Sequence, residues 1–199
     1  MVKDGIYYAL GLAFGGAVVW YLTSLAWGAP LFLLALFCLY FFRDPDRVVP
    51  TGPVAVSPAD GKVVAIRRET PDSTRISIFL NIFDVHVNRS PIAGTISHVR
   101  YQPGQFMPAN KELASTRNEQ NMITVDDGST TVTFSQIAGL IARRIVFYKR
   151  VGDQVNKGER IGLIKFGSRV DLFLGPEWEL TVQEGARVSA GSSVLAKRK

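Results

Sequence analysis

At 199 residues the chain has room for one ordinary domain and a small appendage, while two full domains would be a tight fit. Its 23 Lys and Arg against 17 Asp and Glu give +6; residues 5–42 carry no charge and Lys3 and Asp4 cancel, so the whole surplus belongs to Arg43 onward. A basic globular part behind an apolar N-terminus suits an anionic membrane surface, scattered cations with no recognised binding module argue against nucleic acid, and Cys38, the single cysteine, excludes an internal disulfide and a cysteine metal cluster.

Ile6–Trp27 is apolar apart from small and hydroxyl side chains and reaches the roughly 20 residues that a bilayer-crossing helix needs. A break is expected at Gly28-Ala29-Pro30, followed by Leu31–Phe42, which is too short to span comfortably in isolation. A cleaved signal peptide is disfavoured because the stretch is too long, its basic region is only Lys3, and no small-residue cleavage site follows. Lys3 before the segment and Arg43 and Arg47 after it favour both ends on the cytoplasmic side. That predicts a helical hairpin over a single span, with 1–42 as anchor in the cell (inner) membrane and 43–199 facing the cytoplasm. Tyr7, Tyr8, Trp20, Tyr21, Trp27 and Tyr40 partly cluster where interfaces would fall, as aromatic belts or as ordinary composition.

From Val54 onward short β-branched runs punctuated by turn residues predict a mainly β (β-rich α+β) domain. The expected strands are Lys62–Arg67, Arg75–Phe83, Thr95–Tyr101, Met122–Val125, Thr130–Gln136, Arg160–Phe166 and Val170–Leu174, with Pro108–Arg117 as the best helix candidate. Arg143, Arg144, Lys149 and Arg150 flank the apolar Ile145–Tyr148, which suits either contact with headgroups or a solvated strand edge. Near the C-terminus the pattern G-x-x-V-x-x-G-x-x-[IV] occurs twice, from Gly152 to Ile161 and from Gly185 to Val194. It resembles the hairpins of lipoyl- and biotin-carrier domains and related barrel-sandwich folds, which supports a fold and not an activity.

Each chemically able residue is weak alone. Asp60 precedes Gly61 in Ser57-Pro-Ala-Asp-Gly61, foremost a turn signal. His86, in Val85-His86-Val87, alternates away from its valine neighbours, and His98 is the only other histidine. Ser168 follows Gly167 between two apolar strands. Together, serine, histidine and aspartate are what nucleophilic attack by a hydroxyl requires, but the hydrolase elbow G-x-S-x-G is absent.

The segments Phe42-Arg-Asp-Pro-Asp-Arg47, Ser57-Pro-Ala-Asp-Gly61, Phe83-Asp-Val-His-Val-Asn-Arg-Ser-Pro91, Tyr101-x-Pro-Gly-x-Phe106, Asn118-Glu-x-Asn121, Gln136-Ile-Ala-Gly139 and Phe166-Gly-Ser168, in that order, resemble the short form of the phosphatidylserine decarboxylase family. The resemblance implies a phospholipid decarboxylase that cuts itself between Gly167 and Ser168, into a larger chain 1–167 and a smaller chain 168–199. Ser168, with His86 as base oriented by Asp60, would attack the Gly167 carbonyl and end as a pyruvoyl cofactor that binds the substrate amine as a Schiff base. The substrate implied is phosphatidylserine or a close relative, and no metal is called for. Longer members carry a second histidine where this chain has Arg89, and Leu-Gly-Ser-Thr where it has Phe166-Gly-Ser-Arg169, so His86 would serve both reactions or share them. Arg89 or Arg169 would bind the phosphate or carboxylate, an ordinary surface arginine being an equal alternative. Two other readings stay open, a non-enzymatic barrel-sandwich adaptor and a membrane-bound serine peptidase. The lipid backbone and the oligomeric state are left undetermined.

Overall fold

A computed structural model describes all residues except 110, 141–143 and 166. The chain divides into two compact units, Met1–Asp46 and Arg47–Lys199.

The first unit is a pair of helices, α1 (Lys3–Leu22) and α2 (Leu25–Phe41), folded back on each other. Among the described residues α1 is the one helix long and apolar enough to cross a membrane. The break falls earlier than the Gly-Ala-Pro signal suggests. Thr23 sends both its N–H (2.9 Å) and its hydroxyl (2.6 Å) to the Val19 carbonyl, and the extended Ser24 restarts the helix. Pro30 is absorbed inside α2, because the one bond it deletes would end on Ala26 in the helix's first turn. Gly28 serves packing instead: a Cβ there would come within 2.7 Å of the Gly16 carbonyl, so two bare backbones meet at the crossing.

The second unit is built of antiparallel strands, as the turn-punctuated β-branched sequence predicts. In chain order they are β1 (Val54–Val56), β2 (Gly61–Thr70), β3 (Ser73–Leu80), β4 (Val87–Arg89), β5 (Gly94–Gln102), the single helical turn α3 (Ala114–Arg117), β6 (Gln120–Asp126), β7 (Thr131–Ile137) and β8 (Arg144–Phe147). There follow β9 (Gln154–Val155), β10 (Arg160–Lys165), β11 (Ser168–Leu174), β12 (Trp178–Leu180), β13 (Arg187–Val188) and β14 (Val194–Arg198). An eight-stranded sheet runs β13-β2-β3-β11-β7-β6-β5-β9, beside three-stranded sheets β1-β14-β12 and β4-β10-β8. Ile76, Ile78, Val170, Leu172, Ile123, Phe134 and Leu195 fill the space between them. The curled sheet with its Gly-rich hairpins matches the expected barrel-sandwich architecture.

The expected seven strands are present with shifted ends. The second expected strand, Arg75–Phe83, is β3 and stops at Leu80 because a polar turn intervenes: Asp84 Oδ2 accepts the Asn81 N–H (2.9 Å) and Asn81 Oδ1 the Phe83 N–H (2.8 Å). The expected helix Pro108–Arg117 shortens to α3, and its Asn110 lies outside the described residues, as do Phe166 and Arg143. The cationic-edged apolar run Ile145–Tyr148 falls mostly on the edge strand β8 (Arg144–Phe147), paired to β10.

The two G-x-x-V-x-x-G hairpins dock on two Ser-Pro turns, Ser57-Pro-Ala-Asp-Gly61 and Ser90-Pro-Ile-Ala-Gly94, in a matching way. Gly191 N–H bonds the Ser57 carbonyl and Gly158 N–H the Ser90 carbonyl, both at 2.8 Å. Val56 N–H bonds Pro91 O and Arg89 N–H bonds Pro58 O, both at 2.9 Å. The serine hydroxyls close the turns alike, onto Ala59 O (2.6 Å) and Ile92 O (2.7 Å). The two turns and the hairpins docked on them are therefore related by a local pseudo-twofold.

Candidate active site

β11 enters the large sheet between β3 and β7, with Ser168 opposite Leu80 and Arg169 opposite Ile137. Alternation puts Ser168 on the face of Val170 and Leu172, toward the core, and Arg169 on the other. Ser168 is fully buried, and its Oγ has no hydrogen-bond partner among the described residues. An orphaned buried hydroxyl is costly to keep, about 1–3 kcal/mol, which marks it for use. Gly167 before it sits at φ +55°, in the left-handed region where a Cβ would be strained.

His86 meets this peptide directly. Its Nε2 accepts the Gly167 N–H at 3.1 Å, and its Nδ1 lies 2.9 Å from the Asp84 backbone carbonyl. A carbonyl only accepts and an amide N–H only donates, so these contacts suit the tautomer with its proton on Nδ1 and a lone pair on Nε2 toward the 167–168 region. The Asn81–Asp84 turn that ends β3 supplies this carbonyl. Its Asp84 carboxylate is tied to the Asn81 N–H and, at 3.0 Å, to Arg187.

Asp60 immediately precedes β2, which lies on the far side of β3 from β11 and so about two strand spacings, roughly 10 Å, from the strand of Ser168. Its carboxylate is held by Arg47 Nη2 at 2.8 and 3.0 Å and by the Ala190 N–H at 2.8 Å. Burial pushes its pKa above the usual carboxylate range, the Ala190 N–H and Arg47 oppose this, and the nearby Asp84 charge adds to it. The geometry thus joins His86 to Gly167 and Ser168. The described partner of the imidazole's proton is the Asp84 carbonyl, and those of Asp60 are Arg47 and Ala190.

Neither arginine singled out in the sequence is a surface residue. Arg169 is 1% exposed, on the sheet face opposite Ser168, bonded to Asp171 and Ser77 (both 2.6 Å) within a network that includes Arg75, Glu112 and Ser115. That network pins the 111–117 segment onto the sheet. Arg89 is buried and donates to the Gly158 carbonyl at 3.0 Å, between the hairpins. His98 is exposed on β5 beside Ser97.

An apolar cavity of about 310 Å³ opens against Gly167, lined by Phe79, Asn81, Ile82, Pro108, Ala109 and Leu140. Ile82 and Leu140 stand exposed at its rim. Its far wall brings in residues of the separated motifs to which sequence alone assigns no individual role. A Cβ on Gly139 would come within 2.1 Å of the Gly167 carbonyl oxygen, so the carbonyl packs on bare backbone. Buried Asn118 accepts the Met107 N–H (3.0 Å) and donates to the Met107 and Ala138 carbonyls (both 2.8 Å), clamping the two segments of that wall. A buried amide chain, Asn121 to Gln136 to Asn88 to the Pro58 carbonyl, links four of the separated motifs.

A β-barrel-sandwich unit, preceded in the chain by a pair of apolar helices and bringing a buried serine, a left-handed glycine and an imidazole to one peptide bond, is the class of protein that the fold and site define. A family model for phosphatidylserine decarboxylase matches residues 34–196. A phosphatidylserine decarboxylase proenzyme from Solibacter usitatus is 65% identical over 198 residues, covering 100% of this chain and 97% of that protein. Proteins of the same description from Ralstonia nicotianae (42% over 205 residues, 99% and 95% covered) and Polynucleobacter asymbioticus (40% over 203 residues, 99% and 94%) are also similar. The chain belongs to the phosphatidylserine decarboxylase family.

Proposed function

We propose that this chain is the proenzyme of a phosphatidylserine decarboxylase that cleaves itself at Gly167–Ser168 and carries out decarboxylation from a pyruvoyl group derived from Ser168. The observation that carries the reading is the meeting, at one peptide bond, of an unpartnered buried hydroxyl, a glycine at φ +55° and an imidazole lone pair 3.1 Å from the same backbone.

His86 shifts its lone pair from the Gly167 N–H to the Ser168 hydroxyl and takes its proton. Oγ attacks the Gly167 carbonyl carbon, the C–N bond breaks, and the proton passes to the departing Ser168 nitrogen, leaving an ester. Loss of the Ser168 α-proton with cleavage of its Cβ–Oγ bond frees the Gly167 carboxylate. The enamine that remains tautomerises to an imine, and water replaces its nitrogen, released as ammonia. Asp84 holds the imidazole tautomer through its carbonyl, and Asp60, ionised, stabilises positive charge gathering on this side of the site. The pyruvoyl carbonyl, once formed, supplies an electron sink for the bond to the leaving carbon dioxide. His86 is the group proposed to return a proton to the carbon that loses it. The apolar cavity against Gly167 suits the lipid portion of a phosphatidylserine presented from the bilayer in which α1 is anchored. The catalytic unit is assigned to the cytoplasmic face of the cell membrane on the cations that flank the anchor.

Mass spectrometry of the purified full-length product tests this. Two fragments meeting between 167 and 168 are expected, the smaller blocked by a ketoacyl group, together with carbon dioxide release from phosphatidylserine vesicles. Ser168→Ala should stay one uncut, inactive chain. Two fragments with ordinary amino termini would overturn the mechanism in favour of proteolysis.

A further inference from the structure

Asp60 stands in a turn that does not need it. Its twin in the other half, Ser90-Pro-Ile-Ala-Gly94, forms the same serine-closed turn, with the same left-handed glycine (φ +154° against +146°), and places Ala93 where Asp60 stands. The acid is therefore an addition to one half of a pseudo-symmetric frame, and it arrives with a dedicated partner. Arg47, the first residue of the catalytic unit, grips both carboxylate oxygens with one Nη, at 2.8 and 3.0 Å, and both side chains are about 15% exposed or less. Such burial of an ion pair is expensive unless other donors complete it, and here the Ala190 N–H does.

We propose that Arg47 is a positioning residue for self-processing, holding Asp60 in place and ionised so that this carboxylate can support the reaction at Ser168. The inference rests on the reading of Asp60 as part of the self-cleavage centre. Two other charged groups act on this corner: the Asp84 carboxylate, whose charge opposes ionisation of Asp60, and Arg187, which partly offsets Asp84 from the side. Arg47 lies in the stretch directly following the anchor, so seating of that stretch becomes a condition of maturation.

The test follows self-cleavage of freshly translated full-length precursor in detergent micelles across pH, for wild type, Arg47→Ala, Arg47→Lys, Asp60→Asn and Ser168→Ala. Removing the cation raises the pKa of Asp60 further, so Arg47→Ala should process at least about tenfold more slowly near neutrality. Its acid limb should move up by about 1–3 pH units, with the rate recovering at alkaline pH. Added guanidinium ion should restore the neutral rate, and Arg47→Lys should fall between, which keeps the test informative if the alanine variant folds poorly. A wild-type pH profile for Arg47→Ala, or a loss equal at every pH that guanidinium leaves unchanged, would overturn the role of Arg47. If Asp60→Asn itself processes normally, the underlying reading of Asp60 fails instead; cleavage at the same bond in Ser168→Ala would sink the nucleophile assignment.

Discussion

Gly139 lies far from Ser168 in sequence, yet its missing side chain shapes the peptide proposed to be cut. A methyl group there would lie 2.1 Å from the Gly167 carbonyl oxygen and 3.3 Å from Ala109 Cβ, with backbone on one side and a buried residue on the other. The carbonyl would have to turn away from its present orientation, and displacement of a reacting group by an ångström costs about a hundredfold in rate. Gly139→Ala should therefore accumulate as full-length chain while melting close to the uncut Ser168→Ala protein; a gel showing normal processing would remove Gly139 from the site. At this scale the sequence was informative about side chains and silent about backbone. Gly167, Ser168 and His86 could be picked out because hydroxyl and imidazole chemistry belongs to residue types, and the structure brings these three together. The carbonyl that fixes the imidazole's tautomer could not, since every residue has one. Arg169 and Arg89 read equally as headgroup binders or as surface cations, because nothing local reveals their burial or their bonds to Asp171 and the Gly158 carbonyl.

The elements legible in advance were those with enough residues to show a period. β2, β3, β5, β6, β7, β10 and β11 all announce themselves as β-branched or apolar runs bounded by turn residues, whereas β1, β4, β9, β12 and β13 are two or three residues long and exist only through their partners. The Gly-rich hairpins were recognisable as a repeat, but their docking turns were not, because Ser-Pro-Ala-Asp-Gly and Ser-Pro-Ile-Ala-Gly match only at serine, proline and glycine. The helix expected over 108–117 is mostly irregular because that segment is held from outside: Asn118 ties Met107 to Ala138, and the Arg169 and Arg75 network fixes its other end. Asn118→Ala leaves the Met107 N–H and two carbonyls without their partner, a loss of about 1–3 kcal/mol for a buried group. The fold should survive with a lowered melting temperature. Because the clamp carries Gly139's neighbour Ala138, self-cleavage should slow disproportionately; equal processing rates at a reduced melting temperature would confine Asn118 to stability.

For the whole molecule, the position of the proposed cut within the sheet order decides what would happen after it. Residues 168–199 contribute β11 at the middle of the eight-stranded sheet, flanked by β3 and β7, and β13 at its edge on β2. The same segment supplies β12 and β14, two of the three strands of the β1 sheet. Val170, Leu172, Leu174, Trp178, Leu195 and Ala196 from this segment are buried in the common core. Each large apolar side chain is worth about 1.5–3 kcal/mol when buried, so the contact between the two segments is comparable to a domain's net stability of about 5–15 kcal/mol. Self-cleavage should therefore leave the architecture in place: the processed enzyme should elute as one species containing both chains in equal amounts, and separate only in denaturant. Residues 1–167 alone would face a sheet split between β3 and β7 and a core missing those side chains, and should not refold until the smaller chain is added back. Native dissociation of the two chains, or independent folding of the larger one, would contradict the strand order on which this rests.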